Sequence, residues 1–145
     1  MPLSRTLTIV KPDGVHQRVV GEIIRRFAAE GFRIVAMKMT RLTRQQAEGF
    51  YAVHRERPFF SSLARFMSSG PCIPMVLEGD DVIRRLRDVM GATDPAKADD
   101  GTIRRAFASS IERNVVHGSD SADAAAFEIG YFFSGQEISC GESDS

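Results

Sequence analysis

The sequence lacks several features that would point directly to a function. Its 145 residues include only two cysteines, Cys72 and Cys140, whose separation does not fit a metal-binding spacing. Lys and Arg together number 19, as do Asp and Glu, so no overall field favours nucleic acid or an anionic membrane. No stretch is long and apolar enough to cross a bilayer. Any anion binding must therefore come from locally placed cations.

The glycine loops that cradle phosphates in many nucleotide-binding proteins are also missing. Neither Gly-x-x-x-x-Gly-Lys nor Gly-x-Gly-x-x-Gly occurs. A nucleotide would need side-chain clamps instead, and the candidates are Lys11 at a strand end, Arg87 near a helix end and Arg104 in a loop. By spacing alone, each is more readily explained as a solvated charge over the core, and Arg87 is expected to border the buried stripe of its helix.

The chain length fits a single domain, which we expect to span residues 1–140. Residues 141–145 are polar and acidic and are predicted to form a disordered tail. Residues 1–5 lack the apolar run of a signal peptide, and with two cysteines in the chain we expect a cytoplasmic protein with reduced thiols.

Hydrophobic periodicity predicts the secondary structure. Apolar runs predict strands near residues 6–11, 32–40, 73–77 and 115–116. Helical spacing predicts helices near residues 20–28, 82–90 and 122–133, and a helical hairpin over residues 43–69. Thr43 and Gln46 have the spacing of a capping box at the start of that hairpin.

With the hairpin set aside, the element order is β-α-β-β-α-β followed by a helix. This order predicts an α/β (α+β) fold of ferredoxin-like type, a four-stranded antiparallel sheet covered by helices. Val35, Met37 and Met39 are predicted to share one face of the second strand. Residues 92–113 show no clear period and are interpreted as a long functional loop.

His117 is the residue on which the functional interpretation depends. It follows the strand predicted at residues 115–116, where Gly118 allows a turn and Ser119 or Asp120 is expected to cap the last helix. A lone histidine beside an apolar strand is more often structural than catalytic. The remaining chain must therefore decide between the two roles.

Other side chains complete the set of candidates. Phe59 lies outside any apolar period and is expected to present an exposed ring for base stacking, whereas Phe60 is assigned to the core. Glu128 lies on the flank of the last helix, from where it can turn back towards the histidine. His16 and His54 have no convincing partners and are interpreted as surface residues.

Short motifs occur in the order typical of one family. They are Thr8-Ile9-Val10-Lys11-Pro12-Asp13-Gly14, Glu22-Ile23-Ile24, Glu48-Gly49-Phe50-Tyr51, Arg57-Pro58-Phe59-Phe60, Ser69-Gly70-Pro71, Leu77-Glu78-Gly79, Arg87 with Met90-Gly91-Ala92-Thr93, Gly101-Thr102-Ile103-Arg104, and Asn114-Val115-Val116-His117-Gly118-Ser119-Asp120-Ser121. Over nearly its whole length the chain resembles nucleoside diphosphate kinase of the bacterial type.

The resemblance implies that His117 takes a phosphate from a nucleoside triphosphate, mainly ATP, and passes it to a nucleoside diphosphate in a ping-pong reaction. The positions implied to surround the phosphates are Lys11, Tyr51, Arg87, Thr93 and Arg104, of which Lys11 and Tyr51 also serve catalysis. Asn114 is implied to hold the sugar and Phe59 to stack on the base. Glu128 and Ser119 are implied to orient the histidine.

The resemblance also implies a cofactor and partners. Mg²⁺ is expected, carried mainly by the nucleotide phosphates and not by protein ligands. We expect broad base and sugar specificity, a tetramer or hexamer, and neither a membrane nor a stable nucleic-acid partner. Departures from the family pattern cluster in the long loop, at Asp94, residues 99–100 and residues 105–106.

These residue types suit phosphoryl transfer. An imidazole with a pKa near ~6.5 is mostly neutral and nucleophilic around pH ~7, so Glu128 is better interpreted as an orienting group than as a strong base. Two alternatives stay open: a non-catalytic nucleotide- or RNA-binding module on the same fold, and a hydrolase with His117 and Asp120 as metal ligands.

Overall fold

A four-stranded antiparallel sheet forms the centre of the computed structural model, which describes residues 3–139. Its strands are β1 (Leu3–Val10), β2 (Arg33–Met37), β3 (Ile73–Asp80) and β4 (Val116–Gly118), in the order β2-β3-β1-β4. The helices are α1 (Pro12–His16), α2 (Val20–Ala29), α3 (Arg44–Phe50), α4 (Phe60–Met67), α5 (Val82–Met90), α6 (Ile103–Phe107) and α7 (Ala122–Phe132). The predicted ferredoxin-like fold, with its helical hairpin and C-terminal helix, is confirmed.

The central strand β1 divides its side chains between two hydrophobic cores, one on each face of the sheet. Leu7 and Ile9 enter the core covered by α3, α4 and α7, whereas Val10 enters the core covered by α2, α5 and α6. Strand β4 pairs His117 with Ile9 and Val116 with Val10. Because paired residues of neighbouring strands lie on the same face, His117 lies on the side of α3, α4 and α7.

The start of the hairpin follows the predicted capping chemistry. Thr43 Oγ1 accepts a hydrogen bond from the Gln46 backbone N–H at 3.0 Å, and Gln46 Oε1 accepts one from the Thr43 N–H at 2.9 Å. Two backbone donors at the helix start are thereby satisfied. Gly91 ends α5 as predicted, with a φ of +90° that favours glycine.

The predicted face of the second strand is wrong. Val35 is buried, but Met37 and Met39 are 52% and 61% exposed, and Ala36 is buried instead. A β-bulge between Ile34 and Ala36 shifts the register with β3. The extra residue breaks the period of two, so that adjacent residues on this strand are both buried.

The prediction of an unstructured loop over residues 92–113 is also wrong in part. A short 3₁₀ helix covers Pro95–Lys97, and α6 follows, capped by Thr102, whose Oγ1 accepts a hydrogen bond from the Arg105 N–H. A helix of five residues is too short to show a helical period in the sequence.

The predicted chain path around His117 needs two corrections. His117 lies within β4 and not beyond the end of a strand, and Val115 precedes that strand with a φ of +67°. The cap of α7 is Ser121, whose side chain accepts a hydrogen bond from the Ala124 N–H, and not Ser119 or Asp120. Ser119 is fully buried and bonds to other groups, so it is not available as a cap.

None of the helices among residues 3–139 has the length and apolar character needed to cross a membrane. Cys72 is a free thiol in the core, and burial raises its pKa to about 11. Cys140 and the tail predicted at residues 141–145 lie outside the described residues.

Candidate active site

His117 is held against aromatic rings without being sealed from solvent. The edge-on rings of Phe50 and Tyr51 lie with centroids 5.4 Å and 6.1 Å from the imidazole centroid. The His117 side chain is nevertheless 19% exposed. A nucleophile in this place is fixed in orientation and still reachable.

A carboxylate from the last helix fixes one ring nitrogen of His117. Glu128 Oε1 lies 2.7 Å from His117 Nε2, and the Ser119 hydroxyl donates to the same carboxylate oxygen at 2.6 Å. A carboxylate that accepts a hydrogen bond here favours the tautomer with the proton on Nε2, in which Nδ1 keeps its lone pair. The described residues place no hydrogen-bond partner on Nδ1.

Lys11 reaches the site from the end of β1. Its Nζ donates to the Asn114 side-chain oxygen and to the Glu112 carbonyl, both at 2.8 Å, and the residue is only 5% exposed. Burial lowers the pKa of Lys11 to about 8, even though nearby Asp13 raises it. The partners that accept from this ammonium are neutral, so its charge remains available to an anion.

Arg104 connects the end of α5 to Val116, the residue before His117. Its guanidinium donates to the carbonyls of Val116 at 2.8 Å and Gly91 at 3.1 Å. Among the described residues its Nε is buried without a hydrogen-bond partner. Burial, and then the charge of Arg87, lower the pKa of Arg104 to about 10. This side chain is therefore both a structural brace and an uncompensated positive charge.

A cleft of about 490 Å³ opens beside Arg104. Its lining includes Arg87, Thr93, Lys97, Asp99, Thr102 and Arg104. Arg87 is exposed towards this cleft, and does not lie against the buried stripe as its spacing predicted. Asn114 joins the cleft to Lys11, because its amide nitrogen donates to the Thr93 carbonyl at 3.2 Å.

A row of rings leads from the histidine to the surface. The His54 ring lies between Tyr51, at a centroid distance of 6.4 Å, and Phe59, at 5.5 Å. Phe59 is 47% exposed, and Phe60 packs against the core, as predicted. The interpretation of His54 as a residue without partners is wrong, because the 3₁₀ turn after α3 brings it between two aromatics. Burial raises the pKa of Tyr51 far above its usual range, so its hydroxyl stays protonated.

The described contacts join Lys11 to Asn114, Asn114 to the Thr93 backbone, and Glu128 and Ser119 to His117. Phe59 connects to His117 through the rings of His54 and Tyr51, whereas the cleft lined by Arg87, Thr93 and Arg104 does not include His117.

The structure also adds residues that the sequence did not single out. Phe50 and Asp13 each lie within one of the short motifs in the sequence. Membership of a family motif is the sequence signal that both carry.

Comparisons with known proteins agree with this geometry. A family model for nucleoside diphosphate kinase matches residues 4–138. The nucleoside diphosphate kinase of Desulfosudis oleivorans is 65% identical over 136 residues, covering 94% of this chain and 98% of the relative. That of Desulforapulum autotrophicum is 61% identical over 136 residues, covering 94% and 99%.

Solved structures give the same result. The nucleoside diphosphate kinase of Aquifex aeolicus superposes with a TM-score of 0.93 at 48% identity, over 94% of this chain and 99% of that one. A halophilic nucleoside diphosphate kinase from Halobacterium salinarum, solved in complex with CDP, has a TM-score of 0.92 at 40% identity, over 97% and 94%. The chain therefore belongs to the nucleoside diphosphate kinase family.

Proposed function

We propose that this chain moves the terminal phosphate of a nucleoside triphosphate, mainly ATP, to a nucleoside diphosphate through a phosphohistidine on His117. The phosphotransferase activity is that of its family, and the chain is an enzyme of nucleotide metabolism. The residue roles are our inference from the geometry. The observation that carries them is the 2.7 Å contact between Glu128 Oε1 and His117 Nε2, which leaves Nδ1 for the phosphate.

The reaction has two displacement steps at phosphorus. In the first, the Nδ1 lone pair forms a bond to the γ-phosphorus, the bond from phosphorus to the β,γ-bridging oxygen breaks, and the nucleoside diphosphate leaves with that electron pair. In the second, a terminal oxygen of another diphosphate attacks the phosphorus and the N–P bond breaks. Glu128 keeps the proton on Nε2 and stabilises the positive charge that the ring acquires.

Cations near the histidine stabilise the phosphate charge. Lys11, Arg87 and Arg104 are proposed to bind phosphate oxygens, and Tyr51 and Thr93 to supply hydroxyl donors. A single cation about 4 Å from a phosphate charge contributes on the order of 4 kcal/mol before desolvation, at an effective dielectric near 20. Three such side chains can take the place of a glycine-rich phosphate loop.

Enzymes of this family need a divalent cation for catalysis. Residues 3–139 contain no group of three or more His, Cys, Asp or Glu that could hold a metal ion. We propose that the cation is Mg²⁺ and that it arrives bound to the nucleotide. The phosphate oxygens, and not protein side chains, would supply most of its ligands. Its chemical contribution is to neutralise charge on the transferring phosphate.

The nucleoside end of the substrate fits the outer part of the site. Phe59 offers an exposed ring on which any base can stack, and Asn114 offers an amide near the sugar. The Halobacterium salinarum relative was solved with CDP, which supports binding of a nucleoside diphosphate here. Stacking without hydrogen bonds to the base edge accounts for broad base specificity.

Labelling with ATP that carries a radioactive terminal phosphate tests the proposal. Without an acceptor, the protein should become labelled, and the label should be labile to acid and stable to alkali. His117→Ala should take no label. His16→Ala is the matched control, because His16 is an exposed histidine outside the site, and it should label like the wild type.

Phosphate exchange between ATP and a different nucleoside diphosphate completes the test. A wild-type protein that binds nucleotides but transfers no phosphate would support the alternative of a non-catalytic binding module. The family assignment does not favour that alternative. The hydrolase alternative lacks support from the described residues, which contain no metal-binding cluster around His117 and Asp120.

The setting of the reaction is also a proposal. The family is oligomeric, and we propose that this chain forms a tetramer or hexamer of single-domain subunits that span residues 1–140. We further propose that it acts in the cytoplasm. We expect no stable nucleic-acid partner, because a protein with a formal net charge of zero does not attract a polyanion through its overall field.

A further inference from the structure

Asp13 is a buried carboxylate that the proposed chemistry does not use. The residue is 9% exposed and lies in the first turn of α1. Its Oδ2 accepts the Val115 backbone N–H at 3.1 Å, while its Oδ1 is buried with no hydrogen-bond partner among the described residues. Burying a carboxylate with so few partners costs folding free energy. A role in the site explains why a charge occupies this position.

The backbone that Asp13 contacts is strained. Val115 has a φ of +67°, which is unfavourable for a β-branched residue. A hydrogen bond of 2.8 Å from the Val116 N–H to the Asn114 carbonyl closes a three-residue turn around Val115. The Val115 carbonyl in turn accepts the Lys11 backbone N–H at 2.8 Å. Such a turn persists only where its surroundings hold it in place.

Gly14 lets the start of α1 approach this turn closely. A Cβ at Gly14 would lie 2.8 Å from Val10 Cγ1, closer than real Cβ contacts come, and 3.1 Å from Val115 Cγ1, which is an unusually tight contact. The Val115 side chain is itself fully buried. Asp13 therefore holds the backbone N–H of Val115, and Gly14 allows α1 to pack against the Val115 side chain.

The strained turn separates two residues of the proposed site. Asn114, which accepts from the Lys11 ammonium, precedes Val115, and His117 follows two residues after it. A change of φ at Val115 would alter the direction of the chain between these two side chains. A nucleophile displaced by about 1 Å can lose on the order of 100-fold in rate.

We propose that Asp13 is a positioning residue, which holds Val115 in its left-handed turn and thereby sets the places of Asn114 and His117. The inference rests on the proposed function of His117. Asp13 does not contact the reacting atoms, and the proposed role is carried by its hydrogen bond to the Val115 backbone. Its charge also acts on Lys11, and the substitutions below separate that effect from the hydrogen bond.

Two substitutions separate the hydrogen-bond acceptor from the charge. Asp13→Asn and Asp13→Ala both remove the carboxylate charge near Lys11, but the asparagine oxygen can still accept from the Val115 N–H. We expect Asp13→Ala to lower kcat, and the rate of His117 labelling by ATP, on the order of 10-fold to 100-fold. Asp13→Asn should stay within about threefold of wild type in both kcat and KM, whereas Asp13→Ala should also raise KM for nucleotides because it displaces Asn114.

A substitution at the turn gives an independent readout. Glycine adopts a positive φ at little cost, so Val115→Gly should remove most of the need for the brace. In that background Asp13→Ala should lower kcat by less than about threefold. Equal losses for Asp13→Asn and Asp13→Ala, or an undiminished loss in the Val115→Gly background, would overturn the inference.

Folding and the proposed function are controlled separately. Circular dichroism checks that each variant is folded. If Asp13→Ala does not fold, the double variant Asp13→Ala with Val115→Gly tests the inference instead, because it should be folded and active. An inactive double variant contradicts the inference. A wild-type protein that takes no label contradicts the function of His117 itself, whereas a labelled wild type with indifferent Asp13 variants contradicts only the role of Asp13.

Discussion

Two cations of the site are buried without a carboxylate as hydrogen-bond partner. Lys11 and Arg104 donate to backbone carbonyls and to the Asn114 amide oxygen, and burial lowers the pKa of both. A desolvated cation with neutral partners gains more from an incoming anion than a solvated one does. Nucleotide phosphates should therefore bind here strongly and raise the pKa of Lys11 in the complex.

The pKa of Lys11 predicts the alkaline limb of the pH profile. Lys11 is charged below its pKa of about 8 and neutral above it, so kcat/KM should fall as the pH rises through about 8. Lys11→Arg keeps the charge at all these pH values, and its limb should move to higher pH even if its maximal rate is lower. Measuring kcat/KM of the wild type and of Lys11→Arg between about pH 6 and pH 10 tests whether Lys11 causes the alkaline limb. An alkaline limb that Lys11→Arg leaves in place would show that another group titrates.

The contact between Glu128 and His117 makes the tautomer of the imidazole open to test. Glu128→Gln replaces an acceptor at Nε2 with an amide that can donate to it, which favours the tautomer with the proton on Nδ1. We expect kcat to fall on the order of 100-fold to 10,000-fold, at least as much as in Glu128→Ala. Ser119→Ala should cost less, because it removes only one donor to Glu128. Stopped-flow measurement of His117 phosphorylation tests this ranking, and a milder Glu128→Gln than Glu128→Ala would contradict it.

At the scale of elements, the helical hairpin and the loop before β4 meet over the site. The Ser62 hydroxyl at the start of α4 donates to the Glu112 carboxylate at 2.7 Å, and the Glu112 carbonyl accepts from Lys11 Nζ. Further along, the Arg113 guanidinium lies 4.8 Å from the centroid of the Phe66 ring of α4. These contacts connect the segment that carries the exposed Phe59 ring to Lys11, which is proposed to bind phosphate.

Removing the Ser62 hydroxyl should loosen this connection. In Ser62→Ala the hairpin and the loop lose one exposed hydrogen bond, which contributes about 0.5–1.5 kcal/mol. If nucleotide binding loses this free energy, KM should increase by about twofold to tenfold for every nucleotide. kcat should stay nearly constant, because His117 and Glu128 do not move. Ser61→Ala is the matched control, since its hydroxyl bonds Arg44 instead. Steady-state kinetics with equal KM in both variants would contradict the prediction.

Phe59 belongs to the same hairpin and predicts how bases are accepted. Phe59→Ala should raise KM for purine and pyrimidine nucleotides to a similar extent, by roughly fivefold to 100-fold, because stacking contributes about 1–3 kcal/mol for any base. Phe59→Tyr retains the stacking face and should remain close to the wild type. If only purine nucleotides lose affinity, base-independent stacking is the wrong explanation.

For the whole molecule, the two cores share a single sheet, and the site lies on its edge strand β4. The backbone of β4 presents Val116 to one core and His117 to the other. Damage to either core is therefore expected to loosen the strand that carries His117, the proposed nucleophile. Stability and activity are expected to decline together under denaturing conditions.

Truncating Phe27 tests the core that lies opposite to His117. Phe27 is fully buried between α2 and the sheet, and Phe27→Ala should lower the free energy of unfolding by about 3–5 kcal/mol through lost burial and the cavity left behind. Val53→Ala is the control, because Val53 is 85% exposed and should change stability by less than about 0.5 kcal/mol. Urea denaturation should be measured at two protein concentrations, since oligomerisation contributes to apparent stability. A Phe27→Ala variant as stable as Val53→Ala would contradict the prediction.

Periodicity predicted the elements that are long and regular, and it failed where the chain departs from a period. The stripe from Val20 to Ala28 and the capping box at Thr43 identify their helices correctly. The bulge at Val35 and the five-residue helix α6 leave no periodic signal. Bulges and short helices are stabilised by neighbouring elements, which a local pattern does not include.

The motifs and apolar periods are local properties of the chain, and they sufficed to predict the fold class and the family and to nominate the side chains of the proposed site. How these side chains meet depends on the tertiary structure. The β1–β4 register turns His117 towards α7, where Glu128 forms a hydrogen bond with Nε2. The packing of α1 lets Asp13 accept the Val115 N–H at the turn before β4. Register and helix packing depend on contacts between residues far apart in sequence, and a strand shifted by one residue would turn the histidine to the opposite face.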